Sequence, residues 1–266
     1  MEVLLSNTVQ VGIVRQPSPE EEELAAKRAE CSRLQAELAD RELYLFNLRL
    51  SIAAFEGKYL RQVGVLYAEL DRWNAKIAAQ RAVEEGTESA QAAASTAASQ
   101  ADESYAAVHG EAAQAKDFQP SSQLKSSFRE AAKRLHPDLA TDEADRQTRE
   151  QYMKRANRAY QEGDEDELKR VLEEYNSSPD SVKGTGIAAD LVRVIRQIRQ
   201  IRNRLTQIEL EIAFLLESDI AKLKTKADAA ASEGRDLLAE MAANVTKQID
   251  NARHAFEARS AEVANG

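Results

Sequence analysis

The tripeptide His136-Pro137-Asp138 places three groups suited to partner recognition next to one another. An imidazole can donate or accept a hydrogen bond near neutral pH, and a carboxylate can accept charge-assisted bonds from an arginine. Proline lacks a backbone N–H, and its ring clashes with the preceding turn of a helix, so it fixes a corner in the chain. The chemistry indicated is binding at a rigid turn.

The residues before this turn are predicted to form a basic amphipathic helix. Its apolar face is made by residues at helical spacing: Leu124, Phe128, Ala131, Ala132 and Leu135. Its remaining surface is basic, opposed only by Glu130, and carries Lys125, Arg129, Lys133 and Arg134. Because proline also disfavours the helical conformation of the residue before it, the helix is expected to end near Leu135.

A second helix is predicted after the turn, with Thr141 or Asp142 as its N-cap. Its apolar face carries small residues that allow close helix packing: Met153, Ala156, Ala159 and Tyr160. A further helix, DEDELKRVLEEY, is expected after the break at Gly163.

These segments together resemble the J-domain of DnaJ-family co-chaperones over residues 120–178. The resemblance rests on LKSSFREAAKRL, on the His-Pro-Asp turn and on Asn157, Ala159 and Tyr160, which match the family's N-x-A-Y. The sequence departs from the family pattern in three ways. Met153 replaces the usual Phe, Glu130 and Leu139 stand at places that are usually basic, and the family's first helix has no clear counterpart upstream.

The resemblance implies that the chain is not an enzyme but docks on a DnaK-type chaperone ATPase and stimulates its hydrolysis of ATP. His136, Pro137 and Asp138 would form the contact, presented outward. The cations Lys125, Arg129, Lys133 and Arg134 would steer the encounter with an acidic surface. The alternative is a structural coiled-coil adaptor whose J-like module is degenerate and inactive, which Glu130 and the missing first helix favour.

The rest of the chain is predicted to be α-helical, giving an all-α fold. Apolar residues three or four apart indicate long coiled-coil helices over residues 20–81 and 185–258. Each apolar face needs a partner, so an antiparallel hairpin with the J-like module near its tip is expected, or a homo-oligomer in which the two faces pair between chains. Residues 1–19 are expected to be flexible, and residues 82–119 to be an Ala/Ser-rich linker of partial helicity.

Composition excludes several other classes of protein. A net charge of −9 argues against nucleic-acid binding as the main activity. No apolar run approaches the ~20 residues of a membrane span, and the start of the chain lacks the pattern of a signal peptide; a cytoplasmic protein is expected. No Gly-rich phosphate loop, nucleophile–base pairing or metal-ligand spacing is present. Catalytic residues, metal and cofactors are therefore expected to be none.

One basic segment leaves a weaker hypothesis of RNA or anionic-membrane association. VRVIRQIRQIRNRL carries Arg193, Arg196, Arg199 and Arg202. Steps of three residues turn each position back by about 60° on a helix of 3.6 residues per turn, so these arginines drift around the helix. A helix with mixed, solvated charge is the preferred interpretation.

Overall fold

The computed structural model describes residues 16–110, 112, 118–140, 142–176 and 186–265, and these contain helices and no strands. The predicted all-α class is confirmed. Predictions for residues 1–15, Thr141 and the connector at 177–185 lie outside the described residues. The helices are α1 (Pro19–Tyr59), α2 (Val65–Glu85), α3 (Glu88–His109), α4 (Ser122–Leu135), α5 (Glu143–Glu162), α6 (Glu165–Asn176), α7 (Ile187–Glu217), α8 (Asp219–Ser232) and α9 (Leu237–Asn265). No helix within the described ranges is both long and apolar enough to cross a membrane.

The long N-terminal helix is confirmed, and it runs from Pro19 to Glu85 with one irregular turn. Ser18 and Glu21 exchange hydrogen bonds of 2.8 and 3.3 Å that satisfy backbone N–H groups at its start. A π-helical turn over Leu60–Gly64 joins α1 to α2. Gly86, with φ of +61°, ends α2, because a left-handed backbone is readily adopted only by glycine.

The prediction of a partly helical linker is wrong for residues 88–109, which form α3. Thr87 caps this helix by accepting a hydrogen bond from the Ala90 N–H at 3.2 Å. It packs antiparallel on α2, where the Ser104 hydroxyl donates to Asp71 at 2.6 Å. A β-carbon on Gly64 would stand 3.1 Å from Val108 Cγ1, so α3 approaches the backbone at this glycine closely.

The predicted single helix over residues 185–258 is also wrong in its continuity, because the chain breaks twice. Ser218 ends α7 and caps α8 by accepting from the Ala221 N–H at 3.4 Å. Gly234 adopts φ of +77° after α8, and Asp236 then caps α9 by accepting from the Ala239 N–H at 3.1 Å. Local caps and a left-handed glycine therefore override the apolar periodicity.

The described chain divides into two compact units, the first within residues 1–41 and 123–206 and the second within 42–122 and 207–266. In the first unit α7 runs in the same direction as α1. Arg28 contacts Asp190 at 2.7 Å, and Glu30 contacts Arg202 at 2.6 Å further along both helices. The second pair uses Arg202, a residue of the arginine-rich segment, to join the two helices.

In the second unit α9 likewise runs parallel to α2. Leu70 packs with Val245 and Ile249, the Trp73 and Phe256 rings are 5.8 Å apart, and Glu84 pairs with Arg259 at 3.0 Å. The predicted antiparallel hairpin of the two long helical segments is therefore wrong. Within this unit α3 therefore lies antiparallel beside α2, and α9 lies parallel to it.

Candidate functional site

The helices on either side of the His-Pro-Asp turn form a closed antiparallel pair. All five residues of the predicted apolar face of α4 are buried, and so are the four predicted on α5. The Phe128 and Tyr160 rings meet with centroids 4.5 Å apart, and both side chains are fully buried. Near the turn, the Arg149 Nη1 of α5 donates to the Arg134 carbonyl of α4 at 2.7 Å. The predicted side-by-side packing is confirmed.

The turn itself is a single 3₁₀ turn over Pro137–Leu139. α4 ends at Leu135, as predicted from the proline. The Leu139 N–H donates to the His136 carbonyl at 3.0 Å, and the Ala140 N–H donates to the Pro137 carbonyl at 3.1 Å. The backbone polar groups of the corner therefore bond within the corner itself.

Arg149 is a structural residue of this site that the sequence reasoning missed. Its bond to the Arg134 carbonyl satisfies an acceptor that the end of α4 would otherwise leave without an intrahelical partner. It also donates to Asp145 at 2.9 Å, and its side chain is largely buried. Its position four residues before Met153 places it on the apolar side of α5, and this was the signal that the sequence offered.

The His136 side chain is folded into the molecule, contrary to the expectation of an outward imidazole. Only 8% of it is exposed, and its Nδ1 accepts a hydrogen bond from the Asp138 N–H at 3.2 Å. This bond requires an unprotonated Nδ1, which corresponds to the neutral ring with its proton on Nε2. The 3₁₀ turn brings that N–H back over the ring, so the imidazole acts as the cap of the turn.

The Asp138 carboxylate is the more accessible polar group of the tripeptide, with 33% of its side chain exposed. Its Oδ2 lies 3.9 Å from the His136 Nδ1, which is an ion-pair distance only when the ring is protonated. The two polar side chains of the turn therefore have different surroundings. The histidine supports the corner from inside, and the aspartate offers an acceptor at the surface.

The four predicted cations on α4 have different surroundings. Lys125, Arg129 and Lys133 are four residues apart and share one stripe of the helix. Arg129 is paired with Asp40 of α1 at 2.6 Å, and both side chains are largely exposed. Arg134 pairs with Glu130 one turn away on the same helix.

A shallow cleft beside this stripe has Ala36, Ala39 and Asp40 of α1 on one side and Lys133 of α4 on the other. Lys125 and Lys133 form no ion pair with any residue that the structure describes. They are therefore the two cations of the stripe whose charge is not already neutralised by a close carboxylate.

The third helix of the module is held by aromatic and ionic contacts with α5. Arg155 reaches Glu167 at 2.8 Å and Glu174 at 2.5 Å on α6, and its guanidinium holds the pKa of Glu174 below its ordinary value. The Tyr152 and Tyr175 rings meet edge to face at 5.6 Å. Burial raises the pKa of Tyr175. These contacts fix α6 against α5, away from the turn.

The assembled site can recognise a partner by an exposed carboxylate, a rigid corner and two unpaired lysines on an adjacent helix face. Within the described ranges no group of three or more His, Cys, Asp or Glu side chains is arranged to hold a metal ion. Comparison of the chain with models of protein families, with curated proteins and with solved structures finds no match.

Proposed function

We propose that this chain is a J-domain-type co-chaperone that docks on a DnaK-type chaperone ATPase and accelerates its hydrolysis of ATP. The observation that carries the proposal is the His-Pro-Asp corner between α4 and α5, two helices that pack together through Phe128 and Tyr160. The same residues carry the sequence resemblance. On this proposal the chain works in the cytoplasm, and the long helices serve targeting or assembly.

The roles of the residues follow from their exposure. Asp138 provides the acceptor for a basic group on the chaperone, because its carboxylate reaches the surface. Lys125 and Lys133 steer the encounter, and this effect weakens as salt screens the charges. His136 and Pro137 hold the corner in shape, so they act on docking through the position of Asp138.

The direct test is ATP turnover by purified bacterial DnaK, alone and with the full chain. Turnover should rise with the wild-type chain and fall back to that of DnaK alone with Asp138→Asn, which keeps the shape of the side chain and removes its charge. Asp228→Asn is the matched control, because Asp228 is exposed and forms an ion pair with Lys224 one turn away on the same helix. Wild-type chain that leaves turnover unchanged would rule the proposal out.

A second variant tests the shape of the corner without changing the charge of Asp138. His136→Gln replaces the rigid, buried ring that accepts from the Asp138 N–H by a flexible amide, so we expect both loss of stimulation and faster hydrogen exchange in residues 135–142. His254→Gln, at an exposed histidine on α9, is the control. Full stimulation by His136→Gln would show that the imidazole is not required for docking.

The alternative function is that of a structural helical adaptor with an inactive J-like module. It is favoured by the buried imidazole and by Arg129, whose charge is already paired with Asp40. A folded chain that neither binds DnaK nor changes its turnover at any concentration would support the adaptor.

A further inference from the structure

A second candidate surface lies in the second unit, where α2 and α3 leave an open groove between them. Its apolar floor is formed by Val65 and Ala68 of α2 and by Val108 of α3. It begins directly after the π-helical turn Leu60–Gly64, an irregularity that frequently occurs at functional sites. Val65 is 41% exposed although it is a large apolar residue. The groove therefore offers apolar surface that the described chain leaves partly uncovered.

The walls of the groove carry positive charge and aromatic rings. Arg72 and Lys76 stand one turn apart on α2, and neither forms an ion pair within the described part of the chain. The Lys76 ammonium lies 4.1 Å from the centre of the Trp73 ring, a contact that leaves its charge in place. Glu69 is the one acidic residue lining the groove. In a chain of net charge −9, this is a locally basic surface.

The α3 wall is built from two stacked rings. Tyr105 and His109 lie with ring centroids 4.1 Å apart, and His109 Nδ1 is 2.8 Å from the Tyr105 carbonyl, to which it donates when it carries the proton. Tyr105 is 52% exposed. A half-exposed, pre-stacked ring beside unpaired cations can contact an apolar side chain while the cations bind carboxylates.

The spacing of the lining residues indicates the shape of the ligand. On α2 they recur at steps of three and four, from Val65 through Ala68 and Arg72 to Lys76, which spans about 16 Å at 1.5 Å per residue. This is the surface pattern that a helix presents to another helix packed against it. Two antiparallel helices with such an open side accept a third helix in the groove between them.

We propose that the groove between α2 and α3 binds an acidic amphipathic helix of a partner protein. Its apolar face would cover Val65 and Val108, and its carboxylates would pair with Arg72 and Lys76. Charge complementarity selects this partner, because an acidic helix neutralises the two unpaired cations while a basic one would be repelled. The proposal does not depend on the co-chaperone function.

The test uses Trp73, the chain's single tryptophan, as a reporter at the groove. The probe is a synthetic helical peptide of about 14 residues made of Glu, Ala, Leu and Phe, long enough to span the groove. We expect a saturable change in Trp73 emission that weakens as salt is added. The same peptide with Lys in place of Glu should produce no such change.

Two double variants of the full-length protein each remove two positive charges. Arg72→Gln with Lys76→Gln should weaken binding of the acidic peptide about tenfold, as expected for loss of two exposed ion pairs. Arg81→Gln with Lys247→Gln removes the same charge from exposed positions outside the groove and should leave binding unchanged. All four positions are at the surface, and circular dichroism checks that the helices persist.

Three results would overturn the proposal: no emission change with the acidic peptide, equal binding of the basic peptide, or equal binding by both variant pairs. Sedimentation that shows a dimer lost in the Arg72/Lys76 variant would identify a second copy of the chain as the occupant instead. Two further measurements separate this proposal from the co-chaperone proposal. The Arg72/Lys76 variant should still stimulate DnaK, and Asp138→Asn should still bind the acidic peptide.

Discussion

The pairs α4–α5 and α2–α3 both consist of antiparallel helices, but the side chains between the helices differ in size. Between α4 and α5 the space is filled by the rings of Phe128 and Tyr160. On the side of α2 and α3, Gly64 of the π-helical turn approaches Val108 closely, and the small residue Ala68 lines the groove next to Val108. The first pair encloses its rings, and the second leaves Tyr105 half exposed at a groove.

The size of the side chains between two helices therefore decides whether nearby aromatic and charged side chains are buried or exposed. Large residues between two helices fill the interior and leave no open groove between them. Small residues let two backbones approach closely but cannot cover the flanks of the pair, so rings and cations remain at the surface. The first arrangement favours a rigid corner, and the second favours an open groove.

The largest effect should come from removing a ring from the closed pair. Phe128→Ala should cost about 3–5 kcal/mol of local stability, because a fully buried ring leaves a cavity. Tyr105→Ala should cost less than about 1 kcal/mol, since half of that side chain already faces solvent. Hydrogen exchange of α4–α5 and α2–α3 peptides measures both. Equal costs would mean that the second pair is as closed as the first.

Replacing Gly64 by a larger residue should destabilise the packing of α3 against α2. Gly64→Val should cost about 1–3 kcal/mol, because its Cβ would meet Val108 Cγ1 and Leu60 Cδ2 at 3.1 Å. Gly64→Ala should cost less, since alanine's helix propensity offsets about 1 kcal/mol of the crowding. Adding Val108→Ala should restore part of the loss in Gly64→Val, measured by exchange in α3. No restoration would place the crowding elsewhere.

Removing an N-cap side chain should cost about the same stability in the two pairs, because a cap acts only on the first turn of its own helix. Thr87→Ala and Asp142→Ala each remove the acceptor for a first-turn N–H, bonded at 3.2 and 2.9 Å. Each should cost about 1 kcal/mol, seen as faster exchange at the start of α3 or α5. Thr87→Ser and Asp142→Asn keep an acceptor and serve as controls. A much larger effect at one cap would show that its role extends beyond its own helix.

The smallest effect is expected at the periphery of the closed pair. Arg155→Gln should lower the thermal midpoint of the module only slightly, because its partners Glu167 and Glu174 are solvated. Arg155 depresses the pKa of Glu174 in the folded chain. This contribution is therefore complete at neutral pH and is lost as the pH falls below about 4. The wild-type and variant midpoints should converge in acid, and a difference that persists there would point to packing.

Much of the candidate site could be predicted from the residues themselves. The end of α4 at Leu135 follows from Pro137, and the cap of α5 from Asp142, because both effects act within a few residues of the chain. The buried faces of α4 and α5 follow from helical spacing. The burial of His136 could not be read in this way, since it depends on the N–H of Asp138 folding back over the ring.

The residues alone predict a helical chain, the positions of its apolar faces and a corner at the proline. The packing of α3 as a helix and the parallel direction of α9 beside α2 became visible only in the folded chain. An apolar stripe at helical spacing fits a partner helix in either direction, so periodicity carries no information about orientation. Particular contacts make that choice, such as Gly64 against Val108 and Glu84 with Arg259, between residues far apart in the sequence.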